Sequence, residues 1–517
     1  MKKKQSIIKA TSIIIFFTLI TKILALFREV LMAAKFGSGM EADAYFIALT
    51  ATGLMVGFLT SALNTTMIPI LKEIELVEGK KGKIEHTNNI LNITLIISAI
   101  LAIVGIIGAP IIIKLLASGF EGEKFKLAVK LTQIGFPVIF FGVTVGVFSS
   151  YLHSENRFTF TAAIGLPMSI VYIIYLLILT GKFGITGLMV TSVIAILSQV
   201  LMLIPAMKKA DYRYVFKVNF KDEYLKKVLL LSVPVLIGVA INDINAIVDR
   251  TIASTLLTGS ISALSYAEKL KDMILGVFIA AIITVIYPLL SKASNSEDLN
   301  GLKRIIKKGF DMILLIAVPA TVGLIIFATP IVELVFQRGQ FDALATQMTA
   351  NALVFYSIGL VTMSLQLLLI RVYYSLQDTK TPMVIGIISV AFNIGLSLIL
   401  VKYMDHSGLA LATSISSMVA TILLLWCLGE KIGSLGIKSY IKTLLKTGVA
   451  SIIMGAISYL TYRGMNGLLG VGKFYNIVSL STAILVAIII YAALCYIFKV
   501  EEFRTIFVTI KNKFKKE

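Results

Sequence analysis

The run ILNITLIISAILAIVGIIGAPIIIKLL, residues 90–116, is apolar on every side and carries one charge, Lys114. A strand of a membrane barrel would alternate apolar and polar residues over about ten positions, and a helix on a soluble core would keep a polar face. Neither pattern is present, so the run reads as a helix crossing a bilayer, where every backbone group must be satisfied within the segment. Working outward, stretches of similar length and polarity recur along the chain, about fourteen in all when spans of roughly 20 residues are counted. The whole sequence is 57% hydrophobic and only 15% charged, with a mean hydropathy of +0.92. That composition excludes a soluble globular protein. The expected fold class is an all-α polytopic membrane protein.

The net charge of +20 is distributed in a way that argues against nucleic acid. Lys and Arg crowd into alternate connections, among them Lys2–Lys9, Lys72–Lys83, Lys208–Lys227, Lys292–Lys308, Lys431–Lys446 and Lys499–Lys516. Intervening connections such as Gly37–Asp43 and Gly181–Gly184 carry few or none. This asymmetry is the positive-inside pattern, which places both termini in the cytoplasm and requires an even number of spans. The N-terminal stretch contains Lys22 and runs on to Arg28 without a small-residue cleavage pattern, so it reads as a retained helix rather than a signal peptide. Cys427 and Cys495 both lie within apolar spans, and His86, His153 and His406 are scattered, so neither a disulfide framework nor a metal site is expected.

A repeat organises the chain. Arg28 precedes Gly37-Ser38 by nine residues, and Arg250 precedes Gly259-Ser260 by nine. Pro69 answers to Pro288, Tyr151 to Tyr374 and Gly187 to Gly408, so the four landmarks hold offsets of 222, 219, 223 and 221 residues. One offset held across separate landmarks signals duplication. Six spans precede the offset point, so the two copies share an orientation. The expected organisation is two parallel six-helix lobes, residues 1–222 and 223–437, followed by a two-helix appendage and cytoplasmic tail, residues 438–517. Duplicated helical halves that enclose polar residues are the construction of alternating-access transporters. A duplicated scaffold without transport is the bland alternative.

Charges inside the spans locate the candidate site. A charge at mid-bilayer costs roughly 2.5–3.5 kcal/mol on the most lenient scale, so such residues face water, one another or a ligand. On the first helix Thr18, Lys22, Ala25 and Glu29 share a face with Arg28 at its edge, and on the eighth Ser262, Ser265, Lys269 and Asp272 form a similar stripe. Lys22, Arg28 and Lys269, flanked by Glu29, Asp43 and Asp272, make a cationic set suited to phosphate oxygens. Mutual neutralisation in a wet interior explains the same charges. A second polar set, Asn242, Asp243, Asn245 and Asp249 with Asn393 and Thr413, suits Na⁺ or a proton, or simple interhelical hydrogen bonding.

The stretches carrying these residues resemble the MurJ/MviN family, the lipid II flippases of the multidrug/oligosaccharidyl-lipid/polysaccharide exporter superfamily. They are Thr18–Glu29 with Gly37–Phe46, Gly259–Leu270, Pro319–Leu324, Phe336–Asp342 and Tyr373–Pro382. The resemblance implies movement of the undecaprenyl-pyrophosphate-linked peptidoglycan precursor from the inner to the outer leaflet, in peptidoglycan biosynthesis at the bacterial cytoplasmic membrane. It implies a transporter rather than an enzyme, with lipid II and the bilayer as partners beside the cell-wall synthesis machinery. It maps cavity cations onto Lys22, Arg28 and Lys269, acidic companions onto Glu29 and Asp272, and ion-coupling positions onto Asp249, Asn393 and Thr413. No cofactor is implied beyond coupling to Na⁺ or the membrane potential. The chain departs from the family pattern at Val56 and Ser61, where many members carry Arg and Glu, and in placing Lys for Arg at 22 and 269. With so thin a cationic site, Val56 is expected on the wet face of its helix, where Val56→Arg would be tolerated. A flippase for another polyprenyl-linked glycan (capsule, teichoic acid or exopolysaccharide), a drug/cation antiporter and a membrane glycosyltransferase are the competing readings.

Overall fold

A computed structural model describes residues 2–296, 298–470 and 472–504 of the chain. The C-terminal part of the expected tail, residues 505–517, lies outside the described residues, as do the side chains of residues 1–15, 234, 237–242 (Asn242 among them) and 473. Every regular element among the described residues is helical: α1 (Lys2–Phe36), α2 (Met40–Leu116), α3 (Gly122–Gly135), α4 (Val138–Ser154), α5 (Phe158–Ala162), α6 (Gly165–Ile174), α7 (Thr180–Lys209), α8 (Glu223–Ser254), α9 (Ser260–Ile274), α10 (Ala280–Asn295), α11 (Leu299–Ile326), α12 (Ala328–Phe336), α13 (Ala343–Ile358), α14 (Leu360–Ser375), α15 (Lys380–Ile432), α16 (Ile437–Leu469) and α17 (Lys473–Ile497). Single π-helical turns, Tyr175–Leu179 and Leu275–Ile279, join α6 to α7 and α9 to α10.

Seven helical segments among the described residues are long and apolar enough to cross a membrane, and nine when two bent pairs each count as one span. Three of the long segments are two helices meeting at a break: at Gly79 (φ 72°) in α2, Gly184 (φ 53°) in α7 and Asp405 (φ 47°) in α15. The protein is thus an all-α polytopic membrane protein, and its long exposed aliphatic faces, such as Ile100, Ile103, Ile107 and Ile111 on α2, are suited to lipid.

The repeat recurs in the backbone. Left-handed φ values occur at Gly37 and Gly259, Asn156 and Gln377, Gly184 and Asp405, and Asp211 and Gly433. Those pairs are 222, 221, 221 and 222 residues apart. Glycine meets the steric demand at no cost in the first half of the third pair and the second half of the fourth. Asp405 meets it as an L-residue, in a region that strains a side chain bearing Cβ.

The chain divides into two compact units, one of residues 1–262 with 338–341 and the other of 263–337 with 342–517. In the first, α2 packs on α3, α4 and α8. Its core runs through Met67, Ile70, Leu71, Ile74, Ile139, Val143, Tyr151 and Leu203, all almost fully buried. In the second, α11 packs on α10, α13, α14 and α16, and α16 on α17. Its core is built from Ile286, Leu290, Ile306, Phe310, Ile313, Leu368, Leu369 and Tyr373.

Candidate functional site

The charges on α1 do not share one environment. Lys22 is exposed, whereas Glu29 is buried and Arg28 half-buried. Arg28 Nη2 donates to Glu29 Oε1 at 2.7 Å. The guanidinium also lies 4.8 Å from the ring centroid of Tyr172 on α6, a cation–π distance. Tyr172 in turn meets the hydroxyl of Tyr45 on α2 at 3.5 Å. Glu29 and the two aromatic residues therefore fix the planar fork of Arg28, leaving about a fifth of its side chain exposed, 20%. A positioned, partly exposed guanidinium on an aromatic face is a recognition group for a bidentate oxyanion. Tyr45 and Tyr172 were not in the sequence-derived set. The sole signal for Tyr45 is its place beside Asp43, and for Tyr172 there is none short of the fold.

Asp43 is placed otherwise. Its side chain is 1% exposed and all its acceptor capacity is taken. Oδ2 accepts from Gly259 N at 2.8 Å and Lys124 Nζ at 2.9 Å, while Oδ1 accepts from Ser262 N at 2.9 Å and Ser262 Oγ at 2.7 Å. The carboxylate thus caps the first turn of α9 from another helix, satisfying orphan N–H groups where the helix dipole favours negative charge. Ser38 Oγ donates to Gly259 O at 2.9 Å and meets Ser262 Oγ at 2.9 Å, so the two repeat-related turns are tied together. Close approach explains the glycine: a Cβ on Gly259, whose φ is 102°, would lie 2.5 Å from Ser38 O. The segment 338–341 joins the same unit, with Gln340 N donating to Ala34 O at 2.9 Å.

On α9, Lys269 is exposed, and the buried cation is Lys271. Lys271 Nζ is 3.3 Å from Asp272 Oδ1 and 4.9 Å from the centroid of Tyr356 on α13. Of the candidate ion-coupling residues, Asn393 and Thr413 meet within α15, Asn393 Nδ2 donating to Thr413 Oγ1 at 3.3 Å. Ser397 Oγ donates to Asn393 Oδ1 at 3.4 Å. Asp249 belongs to the other compact unit. Val56 is half-buried and packs against the core of the first unit, 2.7 Å from where a Cβ on Gly142 of α4 would stand, so the expectation of a wet face there is corrected to a partly packed one. Ser61 is half-buried on the same helix.

Residues 32–495 match the family model described as lipid II flippase MurJ. A Rickettsia prowazekii protein described as a probable lipid II flippase MurJ is 30% identical over 96% of this chain and 98% of its own. A Burkholderia cenocepacia lipid II flippase MurJ is 29% identical over 79% of this chain and 81% of its own. Among solved structures, a lipid II flippase MurJ in an inward closed conformation superposes with a TM-score of 0.78 at 27% identity, covering 93% of this chain and 98% of that one. An inward-facing multidrug transporter of the wider superfamily reaches 0.68 at 17% identity, over 80% of this chain and 95% of its own, which shows a shared fold alone. The chain belongs to the lipid II flippase MurJ family.

Proposed function

We propose that this chain moves lipid II from the inner to the outer leaflet of the bacterial cytoplasmic membrane by alternating access, with no catalytic step. The observation that carries the reading is Arg28: a guanidinium inside an apolar helix, held by Glu29 at 2.7 Å and by the Tyr172 ring at 4.8 Å, with part of its fork open. A pyrophosphate is the substrate group that such a fork fits, and the lipid II flippases to which the chain is similar share this length and fold. Exposed Lys22 adds a point charge on the same helix as Arg28, while Lys269, and Lys271 held by Asp272, are the candidate cations of the other unit. Asp43 serves as an anchor of the α9 turn. The moving bodies are the two six-helix lobes, 1–222 and 223–437, with 438–517 as the appendage, fourteen crossings and both termini in the cytoplasm.

The cycle follows from charge. The cationic site receives the headgroup while the polyprenyl tail stays in lipid, and closure transfers it outward. Binding must favour one state over the other, since a ligand held equally by both shifts nothing. An inside-negative potential assists the outward step for an anion by about 2.3 kcal/mol per charge per 100 mV. Coupling to Na⁺ through Asp249, Asn393 and Thr413 is the ionic alternative, for which Asn393 and Thr413 bring an amide and a hydroxyl together on α15.

The test is complementation of a strain depleted of its lipid II flippase. Arg28→Ala should fail to support growth while the protein still accumulates, and Arg28→Lys should support it poorly, because the point charge lacks the fork. Normal growth on Arg28→Ala removes the pyrophosphate assignment. Failure of the unaltered chain to complement assigns a different polyprenyl-linked glycan.

A further inference from the structure

The connection between α7 and α8, residues 210–222, has no regular structure, yet its backbone is held at several points along its length. One face of α2 supplies the clamp. Asn88 Nδ2 donates to Arg213 O at 2.9 Å, Asn92 Nδ2 to Lys217 O at 3.0 Å and Asn89 Nδ2 to Asn219 O at 3.0 Å. Asn219 N returns a bond to Asn89 Oδ1 at 2.6 Å, and the hydroxyls of Tyr212 and Tyr214 donate to Asn88 Oδ1 and Asn92 Oδ1 at 2.5 and 2.8 Å. The ends are pinned by an ion pair of Lys80 with Asp211 at 2.6 Å and by a hydrogen bond between His86 Nδ1 and Asp222 Oδ2 at 2.7 Å. Burial opposes ionisation of Asp222, but the bonds from His86, the Leu225 N–H and Asn89 prevail and hold its pKa below the ordinary carboxylate range.

A loop bound this tightly presents a fixed outer face, and that face is apolar and basic. Val215, Phe216 and Phe220 are 59%, 74% and 62% exposed. Arg213 and Lys221 are exposed beside them. Leu76 and Val77, 88% and 71% exposed, lie on α2 between Glu73, which bridges to Lys227, and Lys80, which bridges to Asp211, so they share this end of the unit. Rigid clamping that leaves large aromatic side chains facing outward serves no purpose in water. Phe and aliphatic groups flanked by Lys and Arg are the composition of a segment seated at the boundary between acyl chains and anionic headgroups.

We propose that the clamped 210–222 strap, with Leu76 and Val77, is a docking surface for the interface of an anionic phospholipid leaflet. Phe216 and Phe220 insert among the upper acyl chains, and Arg213 and Lys221 hold lipid phosphates. The strap follows directly on an apolar helical segment, so it lies at the end of a span where that boundary is found. Two basic groups at an anionic surface favour it by roughly tenfold or more. The proposal rests on the membrane fold and is independent of which glycan is carried.

The chain has one Trp, Trp426, so a Trp426→Phe background isolates an indole introduced by Phe216→Trp. The full-length variant is placed in nanodiscs of phosphatidylcholine mixed with phosphatidylglycerol, with one or the other lipid brominated. The expected result is blue-shifted emission, quenched severalfold more by brominated phosphatidylglycerol than its share of the lipid predicts. Arg213→Gln with Lys221→Gln should return that ratio to the bulk composition while the emission stays blue-shifted. Water-like emission that neither lipid quenches overturns the proposal and leaves the strap to a soluble protein partner. Equal quenching by both lipids in the parent overturns its anionic selectivity. Unchanged thermal unfolding of the variants shows that the fold is intact in either case.

Discussion

Asp43→Asn is the substitution whose cost can be worked most fully from the structure. The carboxylate is 1% exposed and accepts four bonds, from Gly259 N, Ser262 N, Ser262 Oγ and the Lys124 ammonium. An Asn side chain can keep its oxygen toward the two Ser262 donors. Its NH₂ then stands where Oδ2 stood and meets Gly259 N–H and Lys124 Nζ donor to donor. Loss of a charge-assisted bond costs about 1.5–3 kcal/mol, and the orphaned Gly259 N–H about 1–3 kcal/mol more. Lys124 is 14% exposed and recovers some hydration, which puts the total near 3 kcal/mol, at the low end for breaking a buried pair. Lys124→Met removes one of the two donor conflicts, so Asp43→Asn in that background should cost about 1.5 kcal/mol less. The assay is reversible unfolding in mixed micelles, run as a double-mutant cycle over both positions. A coupling energy below about 0.5 kcal/mol would refute the charge-assisted bond between Lys124 and this carboxylate, and an Asp43→Asn cost near zero would refute its pinning of the α9 turn.

Three further outcomes follow from other parts of the chain. Val56→Arg should reduce folded protein severely, since a guanidinium would be forced against Gly142 and the apolar core on which Val56 packs; accumulation at the parent level would restore the wet face that its sequence context suggested. Asp405→Gly should raise the unfolding midpoint by the equivalent of about 1 kcal/mol, because φ 47° strains Asp where its repeat counterpart Gly184 is relaxed; a lowered midpoint would show that the Asp side chain has work of its own. Burial opposes ionisation of Asp378, but Lys431 at 2.7 Å and Thr381 overcome it and hold the carboxyl at about 2. The folded value is below the unfolded one of about 3.9, so this stabilisation is present above about pH 4 and lost as pH falls toward 2. Lys431→Met should therefore lower stability at neutral pH and leave it nearly unchanged at pH near 2, and an equal loss at both would contradict the pairing.

Much of the fold was legible because hydropathy and repetition are one-dimensional signals. Runs such as 90–116 announce helices, and the offset near 222 residues survives in the paired left-handed turns of the backbone. The breaks at Gly79 and Gly184 fall within the connections Lys72–Lys83 and Gly181–Gly184 that charge and glycine mark in the sequence, whereas the break at Asp405 carried no glycine to announce it. The site was read in part. Charges inside apolar helices stand out, which led to Arg28, Glu29 and Lys269. Which partner neutralises each is a tertiary matter, and so Tyr172 beneath Arg28, Tyr356 beneath Lys271 and Lys124 beside Asp43 gave no signal. The same holds for Asn88, Asn89 and Asn92, whose amides could bond any neighbouring helix and instead hold a loop over 120 residues away. Val56 shows the converse error: a family departure invites a functional reading, while the residue simply fills the space left by Gly142.

The central claim is translocation of a pyrophosphate-linked lipid through a site that includes Arg28. It is tested most directly by leaflet-resolved accessibility of lipid II in cells depleted of their own flippase and re-expressing this chain. The account predicts that lipid II becomes accessible at the outer leaflet with the unaltered chain and stays at the inner leaflet with Arg28→Ala expressed to the same level. Equal outer-leaflet accessibility with both, or none with the unaltered chain, would contradict it.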